Sequence, residues 1–490
     1  MKSFAAALAL LVPFIASAAD DEAATLRAHL QANYPSLAYV ERYRAAYPAE
    51  VQGSDALWTT AALPTVVNAS QLVMSLVGLQ DQHVGLGGSA AGQTETLGVL
   101  FRTSSDGQMI AWRVFDSIAA AIKPGDTILA IDKVATKDWL EQVQKVTFGG
   151  NRRSRSAEAA LHFGMATRVV HQMQGIGETV MLTVQSKGEK ARTVSLRYEP
   201  MSEQRAAAVS EAVNRRDLPV LFSASGVRVG TMRLGAFAPQ YDPLYNKVAE
   251  LAEKEPGATE DSAMLDGFCA IVGRFVNEYD VIALQADVMV LDLRGNMGGF
   301  GREARLLSAA MTRIAPPPTF DVFASGKAGV VKLVAQPEDE VCMHVSQQKP
   351  LIVLTDAGTR SSGELMSAWM WASGAIIAGE RTIGAGGGYE FGSSGFKLEK
   401  SGFNVRTSGN FTFFDQSGQL KGGEADEQAL LNTVASDAFA PSHLRPFAIQ
   451  SAGMAPDIAS ASTLGDLHDG GVAQVARVIA ALQRQAVLKN

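Results

Sequence analysis

The stretch from Lys349 to Gly388, KPLIVLTDAGTRSSGELMSAWMWASGAIIAGERTIGAGGG, limits what this chain can fold into more than any other. Leu351 to Leu354 is a short apolar, β-branched run suited to a buried strand, and residues 356–360 form a turn. The pattern predicts a helix from about Ser362 to Ser373 and a further strand from Ala375 to Ala378. Strand, turn, helix, strand is the repeat of a parallel α/β layer. A serine at that turn, Ser361, stands where the N–H groups and dipole of a helix start can stabilise an oxyanion. The same residue opens Ser361-x-x-Glu364, a capping box in which a serine only satisfies helix N–H groups. Taken by itself the stretch allows both roles.

The 490 residues exceed one ordinary core, so two or three domains are expected. A net charge of -7 argues against nucleic acid or an anionic membrane surface as partner. The N-terminus, MKSFAAALALLVPFIASAADD, has one lysine, an apolar core and a small-residue site at Ala16-Ser17-Ala18. It reads as a signal peptide over residues 1–18, cleaved near Ala18, so a secreted or periplasmic protein is expected. Asp20 interrupts the apolar run before it reaches the roughly 18 residues that span a bilayer, and no stable membrane insertion is expected. Cys269 and Cys342 could pair in an oxidising compartment, or stand as two isolated thiols. Cys342-Met343-His344 has no companion ligand motif, and no metal is assigned.

Residues 19–93 look mostly helical, with a helix expected from Pro64 to Leu79 running into LQDQHVGLGG. His83 in that segment suits a helix C-terminal cap as well as chemistry. Residues 94–200 change to short β-type runs separated by turns. Within them AAAIKPGDTILAIDKVATKDWLEQV resembles the PDZ family. The resemblance implies strand-addition binding of a peptide and makes Leu97, Gly98 and Val99 a candidate carboxylate-binding turn. An interruption from Thr147 to Gln174, with Arg152, Arg153 and Arg155, departs from a minimal PDZ module and is expected to be an extra helix or lid. Residues 201–490 read as a second α/β unit whose tail, from Val472 to Leu482, has helical spacing.

In VMVLDLRGNMGGFGREARLL a buried strand ends at Asp292, and glycines 295, 298, 299 and 301 can turn tightly and present N–H groups. Gly299-x-Gly301-x-x-Ala304 also fits a dinucleotide fingerprint, but too far from its strand. No Gly-x-Ser-x-Gly surrounds Ser361, and no Walker motif is present. A serine at a helix start, a glycine loop and an upstream histidine are the parts of acyl transfer: nucleophile, oxyanion donors and base.

The order LQDQHVGL, PDZ-like module, VLDLRGNMGG, TRSSGELMSAWMWASGAIIAGERTIGAGGG and AGMAPDIAS resembles the carboxyl-terminal processing, or tail-specific, serine peptidase family. That resemblance implies an α/β multidomain chain with a crotonase/ClpP-like core of stacked β-α-β units and a PDZ domain that handles substrate. It implies Ser361 as nucleophile, an oxyanion hole from Ser362 with Gly298 or Gly299, and no cofactor. Many members place a lysine where Ala385 stands, which excludes a Ser/Lys dyad. A branch that includes the tricorn core and chlamydial secreted peptidases uses serine, histidine and glutamate, which implies His83 as base. For the acid, spacing from Ser361 favours Glu424, whereas alignment on Gly453-Met454-Ala455-Pro456-Asp457 puts Gln450 there. Glu424 is the choice taken. The expected function is endopeptidase action on polypeptides; the alternative is a catalytically impaired peptide- or ligand-binding protein on the same scaffold.

Overall fold

The structure, a computed structural model, describes residues 16–35, 37, 76–77, 79, 81–312, 316–327, 329–336, 341–388, 395–433 and 441–485. Most of the expected signal peptide and of the helix expected from Pro64 lies outside the described residues, and helix Ala16–Asn33 runs through the expected cleavage site. Among the described residues no helix is long and apolar enough to cross a membrane.

The core is a six-stranded sheet. Leu221–Ala224 pairs antiparallel with Val227–Arg233, which is followed side by side and in parallel by Val288–Asp292, Leu351–Thr355, Ile376–Gly379 and Ile458–Ala459. All five residues of Val288–Asp292 are buried, as in a strand covered on both faces. Alternation along that strand sends Met289 and Leu291 to a layer with Phe268, Val272, Leu306 and Met370. Val288 and Val290 face the other way, onto Val475, Val478 and Leu482 of the C-terminal helix Val472–Arg484. Cys269 and Cys342 form a disulfide that joins helix Glu260–Ala283 to the segment ahead of Leu351–Thr355.

Helix Gly301–Thr312 leads out of this layer, because the next strand, Thr319–Ala324, belongs to a second, antiparallel sheet. The glycine pattern after Val288–Asp292 therefore lacks the neighbouring strand that a dinucleotide fold requires. In the second sheet Thr319–Ala324 lies between Asn410–Phe414 and Val330–Ala335, and Gly423–Asp426 forms an edge.

Between residues 94 and 200 a six-stranded antiparallel sheet runs in the order Val99–Thr103, Met109–Val114, Thr127–Ile131, Thr179–Gln185, Arg192–Arg197, with the short strand Val134–Ala135 paired to Thr127–Ile131. It has its own core, including Phe101, Trp139, Phe163 and Leu182. The interruption at Thr147–Gln174 contains helix Arg152–Gly164, N-capped by Asn151, and the short helix Arg168–Met173. Arg155 and Glu158 of the first helix are buried, so this segment is an integral helix and not an open lid.

Candidate active site

Ser361 has φ 51° and ψ -125° at the entry to helix Ser362–Ala372. A non-glycine residue holds such a conformation only where its surroundings impose it. The glutamate half of the expected capping box forms there, while the Ser361 side chain makes no cap hydrogen bond. The Glu364 carboxylate accepts the Ser361 N–H at 3.2 Å, and the Glu364 N–H donates to the Ser361 carbonyl at 2.8 Å. The same buried carboxylate also accepts the Thr382 hydroxyl and the N–H groups of Gly384 and Ala385, at 2.8 and 2.6 Å. Burial pushes the Glu364 carboxyl up to about 7 against the pull of those four donors. The loop around Ala385 is thus tied to the helix start through a glutamate.

The glycine loop begins at Asp292, whose carboxylate is buried but held well below its usual range by Arg294 and Arg233. Gly298 gives its N–H to Asn296 Oδ1 at 2.8 Å. The N–H groups of Gly299 and Ser362 have no acceptor among the described residues. A Cβ on Gly298 would stand 2.6 Å from Ser361 Cβ, and one on Gly299, at φ 127°, only 1.9 Å from the Phe237 carbonyl oxygen. Only bare backbone fits between the loop and the serine. Of the three expected oxyanion residues, Gly299 and Ser362 keep a donor to offer, and Gly298 has spent its own on shaping the loop.

His83 lines the same cleft as Gly298, Gly299, Ser361 and Ser362, a space of about 1280 Å³. It is buried, which lowers its imidazole below the usual value; the carboxylates of Asp81 and Glu158 oppose that shift and Arg360 adds to it. Asp81, fully buried, accepts the His83 backbone N–H at 2.8 Å through Oδ1 and the hydroxyls of Tyr34 and Ser408, both at 2.9 Å, through Oδ2. Glu158 comes from the helix in the 94–200 unit. It pairs with Arg360 at 2.7 Å, accepts Gln82 Nε2 at 3.2 Å and pairs with His162 at 3.0 Å. Burial alone would raise Glu158, yet Arg360 and His162 hold it at about 2. One carboxylate therefore holds the residues that immediately precede Ser361 and His83.

Glu424 is not part of this arrangement. It is exposed on the edge strand Gly423–Asp426 and bonded to Lys327 Nζ at 2.9 and 3.1 Å. Its loop spacing from Ser361 was misleading because the intervening chain builds the second sheet. Gln450 is fully buried, and its side-chain amide has no partner among the described residues. The carboxylates that act on His83 are Asp81, two residues upstream in LQDQHVGL, and Glu158. Asp81 was visible in the histidine motif itself; Glu158 carries no sequence signal.

Leu97 and Val99 are fully buried. The Leu97 N–H goes to the Gly164 carbonyl at 3.0 Å and the Gly98 N–H to Thr96 Oγ1 at 3.0 Å. The Gly164 carbonyl and the Thr96 hydroxyl have taken the N–H groups that a peptide carboxylate would need, so the expectation of a carboxylate-binding turn at Leu97-Gly98-Val99 is corrected.

A strained serine at a helix start, two unspent N–H donors and a histidine in one cleft are the parts that a serine hydrolase site requires. Residues 274–426 match the model of peptidase family S41, so this segment, which contains Ser361, is similar to a family of peptidases. No curated protein sequence matches it. Among solved structures, mature CPAF complexed with lactacystin is 15% identical, with 96% of this chain and 99% of that chain covered at a TM-score of 0.61. Mature CPAF is matched at 15% identity over 96% and 98%, with a TM-score of 0.59. The photosystem II D1 C-terminal processing protease is matched at 14% identity over 87% and 92%, with a TM-score of 0.35.

Proposed function

We propose that this chain is a secreted or periplasmic endopeptidase that cleaves polypeptides through an acyl-enzyme on Ser361. His83 takes the serine proton and returns it to the leaving amine, while the N–H groups of Gly299 and Ser362 hold the oxyanion. Asp81 supplies the negative charge that the imidazolium needs, in place of Glu424. The observation that carries the proposal is the strained Ser361 facing one cleft with His83 and the two unspent N–H donors. The Cys269–Cys342 disulfide supports an oxidising compartment. The catalytic unit, residues 201–490, is read as a crotonase/ClpP-like core, and residues 94–200 as a PDZ-like module. Ion pairing of Glu158 with Arg360 supports a role for that module in setting the site rather than in grasping a carboxyl terminus at Leu97-Gly98-Val99.

A fluorophosphonate probe tests the chemistry. A single adduct at Ser361 in the folded wild-type chain, lost in Ser361→Ala and strongly slowed in His83→Ala, is the expected result. Absence of the adduct would favour the impaired binding protein, in which the neutral Gln450 is what remains at the aligned acid position.

A further inference from the structure

The second sheet carries polar residues on its buried face. Along Thr319–Ala324 and Asn410–Phe414, alternation sends Phe320, Val322, Phe411 and Phe413 into an outer apolar cluster with Leu430 and Leu431. Thr319, Asp321 and Thr412 face the other way, and with Gln336, Leu365 and Trp369 they line the cleft that holds Ser361. Ser361, Leu365 and Trp369 recur every four residues and so share one stripe of the helix. Trp369 lies two turns beyond the nucleophile, about 12 Å along the axis, and helical side chains lean back toward the N-terminus.

Asp321 is already served: it accepts Thr412 Oγ1 at 2.7 Å and Gln336 Nε2. Two neighbours are not. Thr319 is fully buried and Trp369 is 3% exposed, yet Thr319 Oγ1 and Trp369 Nε1 have no hydrogen-bond partner among the described residues. Thr319 pairs across the sheet with Phe414, whose ring centroid lies 6.3 Å from that of Trp369. Leaving such groups unmet costs roughly 1–3 kcal/mol each, and native interiors rarely tolerate it.

We infer that this end of the cleft is a specificity subsite for a glutamine-type carboxamide side chain of the substrate. The inference rests on the reading of the cleft as the peptidase site. The indole N–H can only donate, so it requires an acceptor, and the threonine hydroxyl can take the amide hydrogen. A single carboxamide supplies both. An aliphatic chain supplies neither, and an ammonium has no acceptor for the indole; a carboxylate can accept from the indole but has no hydrogen for the threonine oxygen, and it would meet Asp321 as well as Arg305.

The test measures equilibrium binding to the Ser361→Ala full chain of otherwise identical peptides with glutamine, methionine, lysine or glutamate at one position, scanned along the peptide. At the position that enters the subsite, glutamine should bind at least about 10-fold more tightly than methionine, since sites built on hydrogen bonds discriminate strongly against analogues that lack them. Thr319→Val, which keeps the shape, should bring that ratio toward one, as should Trp369→Phe. Methionine, lysine or glutamate binding as well as glutamine at every position, a ratio unmoved by Thr319→Val, or no binding by any peptide would each overturn the inference. Fluorophosphonate labelling of the wild-type Ser361 is scored separately, so a failure of the peptidase chemistry is distinguishable from a failure of the subsite.

Discussion

Glu364 holds its proton more tightly in the fold than in water, and its replacement by glutamine has a signature that can be worked out. Its carboxyl titrates near 4.5 when unperturbed and near 7 in the fold, where burial is the largest influence. A carboxyl that binds its proton more tightly in the folded chain contributes stability that is complete below about pH 4.5 and lost as pH rises through about 7. The difference corresponds to about 3 kcal/mol. Glu364→Gln has no such proton to lose. Its single amide oxygen can serve Thr382 and Gly384, or Ser361 and Ala385, but not both pairs. The two donors left facing the amide NH₂ cost roughly 1–3 kcal/mol each. The variant should therefore be less stable at pH 4, with a deficit that shrinks by about 3 kcal/mol on going to pH 8. Urea unfolding followed by tryptophan fluorescence reads this, in a Ser361→Ala background that cannot digest itself, with Trp369 and Trp371 reporting from the same helix. Parallel stability curves for the two chains from pH 4 to pH 8 would refute the reasoning.

Burial lowers His83, so the acid limb of kcat/KM should fall below the usual pKa of about 6.5; Asp81→Asn should move it further to acid and cut kcat roughly 10- to 100-fold. An unmoved limb in that variant would remove Asp81 from the mechanism. Gly299→Ala drives a methyl group into the Phe237 carbonyl and displaces an oxyanion donor, and a loss of about 10²–10³ in kcat is expected from steady-state peptide hydrolysis. Glu424→Gln should cleave peptide at the wild-type rate, because the carboxylate is exposed and bonded to Lys327. Reduction of the Cys269–Cys342 bridge, which spans 73 residues, should lower stability by about 4 kcal/mol on chain-entropy grounds, measured as a fall in Tm on adding reductant.

The parallel layer, the helix start at Ser361 and the buried strand ending at Asp292 were legible because each depends on residues close in sequence. An apolar run of strand length, a capping box and a glycine loop announce themselves through local periodicity and backbone freedom. The histidine motif was equally legible, but Asp81 inside it was passed over for Glu424, although its bond to the His83 N–H spans only two residues. Glu424 failed for the opposite reason. Counting residues from Ser361 assumed that the chain returns to the site, whereas it spends that length on an antiparallel sheet whose edge faces solvent.

The sequence by itself determined the α/β character and the helix start at Ser361, and it places an alanine, Ala385, which cannot accept a proton, on the loop after the next strand. Only the tertiary structure decided which N–H groups remain for an oxyanion, because Gly298 is taken by Asn296 and Gly299 is not. It also decided that Glu158, far in the chain from both, holds Arg360 next to Ser361 and Gln82 next to His83. A capping pattern is a property of neighbours along the chain. The partners of a buried charge are set by which surfaces meet when the domains pack, and no local pattern records that.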